Sequence, residues 1–233
     1  MRKIIDLKSN IDPKKLKVAL KNSMKRTPII FLAILLSGVN LAAQADHEPG
    51  YQAHDGFFLS MSIGPGMVNI NDDITGGTYS NLKMSGIGAI IDIKLGAAVS
   101  ENLILHGDII SISSGKLNVE ADGSDIGTIE GDNSLGNIML GGGITYYFMP
   151  SNVFVSGSGG IARFTITTND QTSSTQAGLG LHVKAGKEWW ISSRWGLGVS
   201  AIVNYAHVNN EADNMTEVLN GTFFGLSFNA TFN

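Results

Sequence analysis

The 233-residue sequence contains no cysteine. A disulfide framework and any thiolate chemistry are therefore excluded. It also lacks a long apolar run: Ile29–Leu36 spans eight residues, well short of the roughly 20 that a membrane-spanning helix needs. Bases are scarce beyond residue 45. Nine of the sixteen Lys and Arg lie in residues 1–45, leaving seven against eighteen acids, a formal charge of −11. Such a segment is a poor partner for nucleic acid, whose phosphates are bound through Lys and Arg. It also lacks a convincing helical stretch, so the glycine clusters Gly141–Gly143 and Gly159-Gly160 have no strand-to-helix setting for a phosphate loop.

The first 45 residues read as processing signal. Lys25 and Arg26 precede the run Ile29–Leu36, and Ala43-Gln44-Ala45 follows it. A basic flank, a short apolar core and an A-x-A site make a secretory signal peptide. We expect a signal peptide over residues 1–45, with Met24 as an alternative true start. A polar leader over 46–55 and one domain over 56–233 follow.

What is abundant beyond the leader is alternation. Leu179, Leu181, Val183 and Ala185 interleave with Gly178, Gly180, His182 and Lys184. After Ser192-Ser193-Arg194, a second run places Trp195, Leu197, Val199, Ala201, Val203 and Tyr205 against Gly196, Gly198, Ser200, Ile202 and Asn204. Two such runs joined by a tight turn make a hairpin. The polar face is rich in glycine, which suits the crowded interior of a narrow barrel whose apolar face meets lipid.

The same reading gives eight strands. Tight turns fall at 99–102, 149–152 and 191–194; the expected loops are 69–81, 113–133, 167–175 and 207–215. Short and long connections therefore alternate, as in transmembrane barrels with short periplasmic turns and longer external loops. The expected fold is all-β: an eight-stranded antiparallel up-and-down transmembrane β-barrel. Tyr146, Phe148, Trp189, Trp195 and Phe232 cluster near the short turns, where an interfacial aromatic belt belongs.

The signal, the eight alternating segments and the final run Phe224–Asn233 resemble small outer-membrane barrel proteins of the OmpA/OmpX/OmpW type. The last strand departs from that pattern slightly, because Phe232 is penultimate and Asn233 follows. The resemblance implies residence in a bacterial outer membrane, contact with its lipid and lipopolysaccharide, and recognition of the last strand by the barrel-assembly machinery.

Function is expected to be structural or interactive, with acidic external loops meeting a surface or host ligand. The inward ionisable set is Asp92, Lys94, His106, Asp108, His182, Lys184 and Glu188. A plug is the favoured reading of it over a proton-linked gate, because side chains alone fill an eight-stranded barrel. The rival function is a narrow or lateral channel for small apolar molecules. That version expects an apolar pocket in the outer half, built from Phe58, Ile90, Ile110, Phe154 and Ile202. A membrane-embedded lipid-modifying enzyme is disfavoured. His106 and Asp108 share a face that Ser111 does not, and none of the five histidines starts a His-x-Ser pattern. No catalytic, cofactor or metal residues are assigned. The acids around Asp122 and Asp125 fit no complete calcium loop, although a weak divalent bridge to lipopolysaccharide phosphates is an open reading. Arg163, near the outer end of its strand, is a candidate phosphate contact. A soluble lipocalin-like barrel with an apolar lumen is the remaining structural rival.

Overall fold

The structure is a computed structural model and describes residues 52–129, 133–168, 171–212 and 215–233. The signal-peptide assignment and most of the leader lie outside these residues. Every element is a strand: β1 (Phe57–Thr75), β2 (Asn81–Ser100), β3 (Leu103–Ala121), β4 (Ser124–Ile129), β5 (Ser134–Phe148), β6 (Val153–Thr168), β7 (Gln171–Ser174), β8 (Gly178–Trp190), β9 (Trp195–Ala212) and β10 (Met215–Phe232). Eight of them form a closed antiparallel ring in the order β1-β2-β3-β5-β6-β8-β9-β10, with β10 returning to β1. β4 and β7 are short hairpin partners of β3 and β6. Closure gives every ring strand two neighbours, which removes the exposed edges of an open sheet.

The strands are longer than their apolar-out alternation. The expected loop 69–81 is mostly sheet, because β1 runs to Thr75 and β2 starts at Asn81. Likewise β3 and β4 occupy much of 113–133, β6 and β7 much of 167–175, and β9 and β10 much of 207–215. Asn, Asp and Gly in these stretches read as loop, but they alternate with apolar residues that a core pulls inward. Ile70, Leu117, Val119, Ala121 and Val208 are buried within those stretches, and Val68, Leu82, Met84 and Leu219 are buried beside them. Core packing overrides local turn propensity.

As a result, sidedness inverts along single strands. In lower β1, Ile63 and Met67 face out while Ser60 and Ser62 are buried. Above Met67 the parity is unchanged, but Asn69 and Asp73 face out while Val68 and Ile70 are buried. The lower barrel is thus apolar outside, as lipid requires, and most of its inward groups are polar. The upper barrel is polar outside and apolar inside, as water requires. At about 3.3 Å per residue along tilted strands, the stretch from Val68 to Thr75 rises roughly 20 Å above the apolar belt.

The upper rim is tied between connections. Asp122, with φ of 47° at the β3–β4 turn, accepts the amides of Ser80 (3.1 Å) and Asn81 (3.0 Å) through Oδ1. Asn81 Nδ2 in turn donates to Asp73 at 2.7 Å. Large interior rings fit only where the facing wall is bare. At Gly221 an added Cβ would lie 2.7 Å from the Phe164 ring.

Candidate functional site

From bottom to top the interior has three layers. The lowest is apolar and aromatic: Phe58, Ile104, Tyr147 and Phe154. Above it lies a network of charges. The top layer is a core of seventeen apolar residues, among them Ile90, Ile110, Ile112, Leu117, Met139, Phe164, Ile202 and Phe223.

The structure places all seven inward ionisable residues inside the barrel, each buried. Asp92 is the hub. Its Oδ2 lies 3.2 Å from Lys184 Nζ and 3.7 Å from His182 Nε2, and its Oδ1 lies 3.7 Å from Lys94 Nζ. Lys94 donates to Asp108 at 3.1 Å and to Ser158 at 3.4 Å. Lys184 also donates to Ser62. Two lysines therefore face two aspartates, and the charge balances within hydrogen-bond reach. Such compensation is what permits ions to be buried at all.

Two smaller groups flank this network. His106 Nε2 lies 3.0 Å from Thr145 Oγ1, which donates to Ser156 at 2.8 Å. Glu188 accepts from Thr231 (2.7 Å) and from the Tyr147 hydroxyl (3.4 Å). Ser111 and Ser113 lie on the outer face, opposite His106 and Asp108. A nucleophile from that pair of serines cannot reach the histidine.

The expected apolar pocket is not assembled from its expected residues. Phe58 and Phe154 belong to the lower layer, whereas Ile90, Ile110 and Ile202 are packed into the upper core. The reason is depth: inward parity places a side chain on the inner face but does not set its level. A cavity of about 20 Å³ lies in the upper half, lined by Val68, Ile70, Ile112, Leu135, Asn137 and Phe164 among others. That volume holds about one water molecule.

On the outer face, Tyr146, Phe148 and Trp189 are exposed near the short turns. Tyr146 and Phe148 meet edge to face at 4.9 Å, and Lys187 Nζ lies 5.8 Å from the Trp189 ring centroid. Phe232 departs from the belt. It keeps outward parity but is only 3% exposed, because Trp195 and Phe57 flank it at 5.3 and 6.2 Å. Arg163 is exposed, opposite Ile138 near the upper limit of the apolar band. Among the described residues, no cluster of three or more His, Asp or Glu is arranged to hold a metal.

Two features escaped the sequence reading. Within the stretch expected as leader, Ala53 and His54 are buried against the lower mouth. In the upper half, Asp72 is fully buried and neither carboxylate oxygen has a hydrogen-bond partner. Its cross-strand neighbours on the inner face are Leu82 and Leu219, and Glu217 stands two residues from Leu219. Burial above all, with the charges of Glu217 and Asp73 adding to it, pushes the Asp72 carboxyl up to about 7. The unfolded chain releases this proton near 3.8, so the folded form loses stability as pH rises from there to about 7. Asp72→Asn is therefore expected to gain on the wild type over that interval. Urea midpoints in detergent micelles at pH 4 and pH 8 measure it, and identical pH profiles would refute the assignment.

No protein-family model and no curated protein matches the sequence. Solved structures do match. Neisserial surface protein A aligns with a TM-score of 0.50 at 15% identity, over 75% of this chain and 96% of its own. The outer membrane protein OprG from Pseudomonas aeruginosa gives 0.47 at 13% identity, over 78% and 99%. The outer membrane protein AlkL, determined in lipid bilayers, gives 0.43 at 15% identity, over 82% and 94%. The likeness to the Neisserial protein is one of fold, and that fold is a small eight-stranded membrane barrel of the kind the sequence resembles.

Proposed function

We propose that this protein is an integral outer-membrane barrel that holds a rigid, acidic surface clear of the lipid for contact with partners. The observation that carries this reading is the inversion of sidedness along the strands. A chain that only spanned the bilayer would need no apolar core above the belt. Here that core stiffens a projecting wall whose outer face carries Asp73, Glu120, Glu211 and their polar neighbours. Both ends of the barrel domain lie on the short-turn side, as insertion from the periplasm requires, so the projecting half faces outward.

Transport has weaker support. The charged layer of the lower interior is neutralised and hydrogen-bonded, and the cavity in the upper half lined by Phe164 holds about one water. Catalysis has no support at His106, whose hydroxyl neighbours Thr145 and Ser156 are buried with it. Binding of lipopolysaccharide phosphate at Arg163 and docking of the last strand on the assembly machinery belong to the same proposal.

The test combines fractionation, gel migration with and without boiling, and exchange of the upper strands. Sedimentation with outer membranes and faster migration when unboiled are expected of a closed barrel. Replacing the β3–β4 hairpin with a short turn should abolish binding of cells to a surface ligand while leaving the heat-dependent shift. Loss of the shift, or binding unaffected by the exchange, would refute the reading. Conductance in planar bilayers that responds to an apolar solute would favour the channel instead.

A further inference from the structure

The lower mouth is closed by a segment outside the ring. His54 lies on the face of Tyr147, with ring centroids 3.4 Å apart and planes 13° from parallel, and the Trp190 ring lies 4.9 Å away. Its backbone makes two bonds to one residue. His54 N donates to Asn102 Oδ1 at 3.1 Å, and Asn102 N donates to the His54 carbonyl at 3.0 Å. The imidazole Nε2 meets Asn152 Oδ1 at 2.7 Å. Two residues on, the Gly56 carbonyl accepts the amide of Ala98 at 2.8 Å.

Asn102 and Asn152 occupy matching places in the first and second short turns, each with positive φ (64° and 53°). That conformation suits asparagine better than most residues. Their carbonyls continue outward to the next strands, accepting from Tyr147 N at 2.9 Å and from Glu188 N at 3.0 Å. His54 thus joins both turns and the base of β8 at one point.

We infer that residues 53–56 form an acid-sensitive latch across the lower mouth, pinned by neutral His54 and released when that ring takes a second proton. With Nε2 donating to Asn152 Oδ1, the second proton goes to Nδ1, which is buried without a partner. Burial is the largest influence on the ring and holds its pKa below the usual histidine value, against the upward pull of the bond to Asn152, of the nearby Asn233 amide and of the charge on Asp55. The other charged groups of the surrounding elements are Glu101 beside Asn102, Glu188 under the Tyr147 hydroxyl, and Arg194, whose carbonyl accepts the Asn233 amide at 3.0 Å. The released ring protonates near 6.5. Closure is therefore complete above that pH and weakens as pH falls below it.

The test is hydrogen exchange of the full barrel in detergent micelles, read at the amides of Ala98 and Asn102. Both donate to the latch, whereas the amides of mid-barrel Ile93 and Ile109 serve as controls. Protection at Ala98 and Asn102, corrected for intrinsic rates, should fall about tenfold per pH unit below 6.5 until the buried ring itself titrates. The controls should not change. His54→Phe retains a stacking ring but cannot titrate, so it should abolish the fall. Asn152→Asp places a carboxylate beside Nε2 and should move the release to lower pH. Constant protection in the wild type, an equal fall in His54→Phe, or a release unmoved in Asn152→Asp would each overturn the latch.

Discussion

Asp92→Leu is expected to lower the unfolding free energy of the barrel by about 3–5 kcal/mol, the cost of breaking a buried ion network by removing one partner. The variant leaves Lys184 with Ser62 as its remaining hydrogen-bond partner and removes a neighbour of both Lys94 and His182. The uncompensated ammonium, more than the lost bond, carries the penalty. Asp92→Leu with Lys184→Met removes both charges at similar volume and should recover most of the loss, because well-packed apolar replacements of buried pairs are often neutral or better. Equilibrium urea unfolding in micelles measures both variants. A single-variant cost below about 1 kcal/mol would place the network in contact with water, as exposed pairs contribute no more than that. A double variant as weak as the single would assign the cost to shape. The result bears on function, since a gate must open this network in each working cycle and a plug never does.

The second large effect is expected at Phe164, which is buried in the upper core and packed over Gly221. Phe164→Ala should cost about 3–5 kcal/mol, combining lost apolar burial with the cavity left behind. That void would join the existing cavity of about 20 Å³. The enlarged space, lined mostly by apolar side chains, should accept a small hydrocarbon as engineered core cavities do. Benzene should therefore raise the unfolding midpoint of Phe164→Ala and leave the wild type unchanged. Stabilisation of the wild type by benzene would show that the upper interior already receives apolar molecules, and the channel reading would then displace the surface reading. Unlike Asp92→Leu, this variant tests the half of the barrel that projects from lipid.

The lower barrel was legible because lipid imposes a simple pattern. Every second residue of a spanning strand must be apolar and outward, and the alternation from Leu179 to Tyr205 gives strands, parity and turn positions together. The inward ionisable set follows from parity alone. Partners within that set do not. Asp92 meets Lys184 across 92 residues of sequence and Lys94 across two, and only strand stagger and barrel closure decide which charges share a level.

The upper barrel resembles loop in sequence for a related reason. Asn69, Asn71 and Asp73 are turn residues by composition, yet Ile70 among them and Val68 just before them have a core to enter once the ring closes. The polar and apolar faces exchange places where the solvent changes from lipid to water, and periodicity is blind to which solvent a face meets. The same limit hid His54. A single histidine in a polar stretch has no pattern, and its site exists only when Asn102, Tyr147, Asn152 and Trp190 converge at one mouth. By itself, the order of residues determined that this protein is an eight-stranded barrel with a lipid-facing belt, because local alternation and turn spacing are short-range properties. Tertiary structure alone decided the depth of each inward group, the solvent each face meets and the seal at the mouth. Those depend on how eight strands stagger and close, a property that no segment carries on its own.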